Sequence, residues 1–386
     1  CIRDSFSAIG IHALYDDSPP APHVNQWWTT FDVRVWPDYP SPGDYALPYV
    51  DLRWLIDEFW SELATSRNRN LAQFANAAFD LLRTEFLRAA SPVEVSDTLR
   101  TMQELLLYEC PVIPLYEEYL FNAYRDDQFE GFVKDCAFGV RSWWTNQRVR
   151  LRADSDNFGG TFRWAVAEDV DTFNPMASAL ANRTLVFREL FDSLLWVSSE
   201  GKVIPWLVSS YTVTTHSDDS LVPEGTMRVN FVLVQNATWA GGVPLIAQQV
   251  AHSIEFLRNS EGSRYAEALQ DVASVVVEDP LYELTIEFYT VSFWHLFDVA
   301  FLPILPESVT LRLNSTQWSS WDPDPLSDDY MTSGPFAVSQ YVPDESLLLE
   351  RNHDYFRAPQ GAESTTTTSG SETQQPTTGG SGTPDT

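Results

Sequence analysis

The chain has 386 residues, 44% of them hydrophobic and 13% aromatic, which is enough for a sizeable core and too apolar for wholesale disorder. Its formal net charge of −30 argues against nucleic acid or anionic lipid as the main partner. There is no run of about 18 apolar residues, which excludes a transmembrane helix within the sequence.

Apolar positions Leu71, Phe74, Ala78, Leu81, Leu82 and Phe86 fall on one helical face, so the spacing predicts a helix over 71–89. A second helix starts after Ser91, where Pro92 suits the first turn and Glu94 completes a capping box. It runs to about Glu109, where Pro111 stops it, and Val112–Leu115 reads as a short strand. Cys110 lies beside that strand and Cys136 beside the strand-like pair Phe132–Val133, so a Cys110–Cys136 disulfide is one expectation, with Cys1 left over. Strands are predicted over 161–167, 227–234 and 281–289, helices over 184–195 and 244–258, and a strand pair from Gly334 to about Arg351. This alternation predicts α/β or α+β layers rather than an all-β sandwich.

From about Pro359 to Thr386 the sequence is rich in Ser, Thr, Pro and Gly. No Leu, Ile, Val, Met or aromatic residue follows Phe356, so this stretch cannot bury a core. It reads as a cell-surface stalk, or else as a flexible linker, and as a stalk it implies a membrane anchor beyond Thr386. Three glycosylation sequons, at Asn182, Asn236 and Asn314, favour an exported protein together with the stalk. No signal peptide is present, so any secretion signal has been removed or never belonged to this sequence. Lys134 and Lys202 are its only lysines, which fits either genome composition or habitat.

Catalytic patterns are absent: none of His12, His23, His216, His252, His295 and His353 stands in a metal-binding spacing, and no nucleophile elbow or phosphate loop occurs. His295, amid apolar residues, reads as a satisfied core histidine. No enzyme activity, catalytic residue, metal or cofactor is expected.

Six segments resemble, in order, the opening part of the family 5 extracellular solute-binding proteins, which bind peptides, nickel complexes or oligosaccharides. They are Gly159–Met176, Phe191–Leu195, Gly201–Leu207, Thr238–Leu245, Ser333–Phe336 and Leu349–Phe356. Two acidic positions of the family pattern are missing, one after Trp239 and one at Gln249. Ser91–Ala123, Phe129–Phe132 and Ile9–Ile11 resemble the closing part of the same family. The order is thus inverted: 1–147 resembles the C-terminal part, 148–358 the N-terminal part, and 359–386 is the stalk. The chain is then a fragment of a longer one, a processed chain paired with a second that carries the family's middle, or, less in keeping, a permuted protein.

The resemblance implies an α/β, two-lobed, periplasmic-binding-protein-like (type II) fold with a partial second lobe. It also implies capture of oligopeptides or dipeptides for an ABC permease, outside the cell. Asp38, in Trp36-Pro37-Asp38-Tyr39-Pro40, matches the family carboxylate that holds a peptide's α-ammonium, a role that suits a charged hydrogen-bond acceptor; the same residues also suit a turn-rich loop. Trp36 would form an apolar wall, and Tyr39 and Trp239 join it in the ligand-facing set. The pairs Trp27-Trp28 and Trp143-Trp144 suit stacking on a ligand or packing in a core. An oligosaccharide ligand is the alternative within the class; a surface structural protein reusing the fold is the alternative outside it.

Overall fold

The computed structural model describes residues 51–65, 70–113, 122–136, 138–152, 160–166, 169–170, 172–177 and 181–358. Three helices open it: α1 (Arg53–Asp57), α2 (Ala77–Arg88) and α3 (Pro92–Glu109). Strand β1 (Phe129–Glu130), helix α4 (Trp143–Arg148) and strand β2 (Arg150–Leu151) follow, with β1 and β2 paired antiparallel. Helix α5 (Ala181–Leu190) leads into the hairpin β3 (Leu195–Val197) and β4 (Val203–Pro205), then β5 (Val208–Thr215) and β6 (Met227–Leu233). Helices α6 (Ala247–Arg258) and α7 (Arg264–Ala268) precede β7 (Val272–Asp279) and β8 (Glu283–Phe288). Short helices α8 (His295–Ala300) and α9 (Glu307–Thr310) lead to the closing hairpin β9 (Phe336–Val342) and β10 (Ser346–Arg351).

The main sheet has the order β5-β6-β8-β7 with every pair antiparallel. Along β6 the residues Met227, Val229, Phe231 and Leu233 are buried and those between them half-buried, the period-two signature that the sequence carries. Leu284, Ile286 and Phe288 are likewise buried on β8, with Thr285 buried among them, opposite Phe231, Val229 and Met227. Helix α6 contributes Val250, Ile254 and Leu257 to this core, and α2 and α3 contribute Phe79, Phe86 and Met102. Full burial of each such side chain contributes about 1.5–3 kcal/mol. This mixture of helices and strands agrees with the α/β class that the resemblance implies.

Local chemistry sets the helix ends. Helix α2 starts at Ala77, later than the periodicity suggests, because the Asn76 side chain accepts hydrogen bonds from Ala78 N (2.9 Å) and Phe79 N (3.2 Å). Upstream, Asn70 and Gln73 sit at φ 42° and 52°, which no right-handed helix admits. Helix α3 starts where expected: Ser91 Oγ accepts from Glu94 N at 3.3 Å and Pro92 fills the first turn. The reciprocal bond shifts by one residue, with Glu94 Oε2 accepting from Ala90 N at 2.9 Å. Cys110, left-handed at φ 50°, ends the helix.

Four expectations are corrected. Residues 161–166 form no strand. The helix predicted to reach Leu195 stops at Leu190, because the Leu190 carbonyl is taken by Ser333 N (3.0 Å) and Gly334 N (2.8 Å), and Leu195 starts β3 instead. Phe132–Val133 lie outside any strand, as do Val112 and Ile113; residues 114–115 are outside the described residues. Cys110 and Cys136 are free thiols, one capping α3 and the other beside the β3–β4 turn, where its N–H donates to Ser199 O, so the expected disulfide is not formed. Cys1 is outside the described residues.

Candidate functional site

Four of the quoted segments meet in one buried junction. Phe191–Leu195 leaves the end of α5, Gly201–Leu207 forms β4, Ser333–Phe336 enters β9 and Leu349–Phe356 leaves β10. At the centre is Asp192, fully buried. Its Oδ1 accepts from Trp206 Nε1 (2.9 Å) and from the Tyr355 hydroxyl (3.0 Å), and its backbone N–H donates to Ser333 Oγ at 2.9 Å. Oδ2 is buried with no hydrogen-bond partner among the described residues. Burial, opposed by the Trp206 and Tyr355 hydrogen bonds, pushes the carboxyl up to about 7. Burial, then the nearby Asp192 charge, raises the Tyr355 phenol well above its ordinary range.

One helical turn earlier, Glu189 is also buried. Asn146 Nδ2 donates to its Oε1 at 2.6 Å and Gln147 Nε2 to its Oε2 at 3.0 Å, which is why α4 docks here. Burial pushes this carboxyl up to about 8 against those hydrogen bonds. Burial pushes the neighbouring Arg188 guanidinium down, with Asp135 and Glu189 pulling it back.

Aromatic rings close the junction. Trp143, Trp196, Trp206 and Tyr355 form one buried cluster. Trp143 packs 4.5 Å from Trp196 and 5.2 Å from Trp206, centroid to centroid. The indole N–H groups of Trp143 and Trp144 donate to Arg188 O and Val197 O, both at 3.0 Å. Arg357 lies 4.0 Å over the Trp206 ring and donates to Trp206 O at 2.8 Å. Of the two fates open to Trp143-Trp144, the structure therefore shows packing. The junction is filled by its own side chains, and it anchors the last strand pair and residues 352–358 against β4.

Gly334 is required by close approach. A Cβ there would stand 2.4 Å from Glu189 O and 2.7 Å from the Leu190 carbonyl carbon, both backbone atoms. Gly334→Ala should therefore lower the melting temperature by several degrees, since overpacking costs about 1–3 kcal/mol; a melt within one degree of the parent would refute the constraint. Asn352 seals the same corner, its N–H on Pro335 O at 2.8 Å and its Nδ2 on Gly334 O at 3.0 Å.

Trp239 is 1% exposed and its Nε1 donates to Gln249 Oε1 at 2.9 Å, so the structure places it in the core instead of on a ligand-facing wall. The same Gln249 oxygen accepts from Ile246 N at 3.2 Å, so Gln249 caps α6 in place of the family's aspartate. Gly241 and Gly242, at φ 87° and 77°, turn the chain back so that Trp239 N reaches Val243 O at 2.7 Å. His295 is buried, stacked 4.7 Å from Phe288, with Nε2 2.8 Å from Thr290 Oγ1, as a core histidine should be. Asp38, Trp36, Tyr39, Trp27 and Trp28 lie outside the described residues. Asp192 and Glu189 are not among the site residues that the motifs imply. Their signal is a charge inside an apolar run, here Leu190-Phe191-Asp192-Ser193-Leu194-Leu195 and the Glu before it.

Comparison with known proteins matches residues 202–375 to the family described as bacterial extracellular solute-binding proteins, family 5 middle. The oligopeptide-binding protein OppA of Bacillus subtilis (strain 168) is 22% identical over 188 residues, 44% of this chain and 32% of that protein. Among solved structures, the oligopeptide-binding protein AppA of Bacillus subtilis, in complex with a nonapeptide, is 19% identical at a TM-score of 0.40, covering 49% of this chain and 35% of that one. NikZ of Campylobacter jejuni, in complex with Ni(L-His), is 18% identical at 0.39, covering 50% and 35%. The chain thus spans about a third of the length of these relatives.

Proposed function

We propose, from the match of residues 202–375 to the family 5 extracellular solute-binding proteins, that this chain is part of the solute-capturing component of an ABC importer, taking oligopeptides or dipeptides between two lobes. The observation that supports this most is the meeting of four motif segments, far apart in sequence, in the Asp192 junction. Residues 1–147 and 148–358 act as the late and early parts of one binding fold, and the rest of the second lobe comes from another segment or chain. The tail 359–386 is a stalk that holds the domain at the cell surface. Among the described residues no helix is long and apolar enough to cross a membrane.

Asp38 is the ligand residue of this proposal. Its carboxylate would hold a peptide's α-ammonium, which needs a charged acceptor once it leaves water, with Trp36 and Tyr39 as neighbouring apolar surface. Thermal shift against short peptides and oligosaccharides tests it. A ligand at about 100 times its dissociation constant adds about 2.7 kcal/mol to unfolding. Peptides should raise the melting temperature of the wild type and not that of Asp38→Ala. A shift with oligosaccharides alone would replace the peptide reading. No shift with either would favour a surface structural role.

A further inference from the structure

We infer that Asn314 is an N-linked glycosylation site of this chain, and that Asn236, though it carries the same triplet, is not. Both sequons are plain in the sequence, as Asn314-Ser315-Thr316 and Asn236-Ala237-Thr238. The structure separates them by what their side chains already do.

At Asn236 both members of the triplet are engaged. Asn236 Nδ2 donates to Phe356 O at 3.0 Å, and Thr238 Oγ1 donates to Asp354 O at 2.6 Å. The two bonds clamp the turn at 236–238 to residues 354–356, on the outer side of the aromatic cluster. A saccharide on Nδ2 would have to grow into that seam, and the hydroxyl that a sequon presents to its transferase is occupied.

At Asn314 the amide nitrogen is not so engaged. Asn236 and Asn314 are both exposed, but Thr238 is half-buried whereas Thr316 is exposed. Asn314 Oδ1 accepts from Thr316 N at 3.2 Å and lies 3.5 Å from Ser315 Oγ, while Nδ2 makes no hydrogen bond among the described residues. The support behind it is firm. Trp318 Nε1 donates to Glu261 O at 3.0 Å, and Asn174 Nδ2 donates to Trp318 O (2.7 Å) and Trp321 O (2.9 Å). The acceptor amide is therefore displayed on a pinned surface turn, with the whole triplet free of contacts that modification would break. Asn182 falls within α5, and its side chain is not among those described.

The co-substrate is an oligosaccharide linked through its anomeric carbon to a lipid phosphate or pyrophosphate. Asn314 Nδ2 attacks that carbon. The new C–N bond forms as the C–O bond to phosphate breaks, the lipid phosphate leaves with the electron pair, and Nδ2 gives up one proton to a base of the transferase. Nothing is oxidised or reduced. The inference shares with solute capture only the premise of export. The experiment supplies export itself, so its outcome does not depend on ligand binding.

The test is peptide mapping of the full chain secreted from a host that carries an oligosaccharyltransferase. Trypsin separates the sequons, with Asn314 on peptide 313–351, Asn236 on 229–258 and Asn182 on 164–183. Peptide 313–351 should carry the saccharide mass and 229–258 should not. Thr316→Val should abolish the modification and Thr316→Ser should restore it, with unchanged melting temperatures showing that both variants fold. An unmodified 313–351 in the secreted chain, or a saccharide on 229–258, would overturn the inference.

Discussion

Replacing Trp294 with alanine should lower the unfolding free energy by about 3–5 kcal/mol, the largest single effect expected in this chain. Trp294 is 3% exposed and its ring packs 4.9 Å from that of Phe86, tilted by 42°. The last carbonyls of α2 have no partners within their own helix. Trp294 Nε1 donates to Phe86 O at 2.9 Å, Ser292 Oγ to Leu87 O at 2.7 Å and Phe293 N to Ala89 O at 2.7 Å. Removing the indole leaves a cavity and leaves the Phe86 carbonyl only the longer bond from Ala89 N, at 3.4 Å, a loss that falls within this range. Trp294→Phe, which keeps a ring and loses the donor, should lie between the parent and Trp294→Ala. Urea unfolding midpoints check the series, and hydrogen exchange in residues 77–109 should accelerate first. A loss below 1 kcal/mol for Trp294→Ala would mean that α2 and α3 dock by other means.

The second large effect is on pH dependence. Burial raises the carboxyls of Asp192, to about 7, and Glu189, to about 8, from ordinary values near 4. A folded-state value above the unfolded one means that the folded chain holds a proton the unfolded chain has released. The stabilising contribution is complete below the unfolded value and is lost as pH rises through the folded one. Each group therefore removes about 1.4 kcal/mol of stability per pH unit between the two values. Melting temperature should fall steadily from pH 5 to pH 8. Asp192→Asn keeps an oxygen for Trp206 and Tyr355 but carries no charge, so it should flatten this slope and gain on the parent at pH 8. Glu189→Gln should flatten the slope as well. A slope unchanged in both variants would show that the pH dependence arises at the surface.

Some of this was readable in the sequence and some was not, for physical reasons that differ by residue. Ser91 and Pro92 announced the start of α3 because capping is local chemistry. The β6 and β8 segments were legible because apolar residues recur at every second position, through Met227, Val229, Phe231 and Leu233 and through Leu284, Ile286 and Phe288. The start of α2 was missed because left-handed Asn70 and Gln73 interrupt a helical pattern without breaking its apolar spacing. The end of α5 was missed because its stop signal is Gly334, more than a hundred residues away. Trp239 was assigned to a ligand on motif alone, whereas Gln249 decides its place by accepting its N–H. The Asp192 junction was quoted piece by piece, but no segment shows by itself that its carboxylate faces Tyr355.

That junction also dictates the order in which the chain can be completed. The Asp192–Tyr355 hydrogen bond spans 163 positions, and the Trp294–Phe86 bond spans 208. Neither can close during early synthesis: the first waits for the last described strand pair to emerge, the second for all four strands of the main sheet. Contacts of such long range make folding slow, because loop-closure entropy is lost before the contact repays it. A chain whose core contacts close this late remains an open polymer for longer.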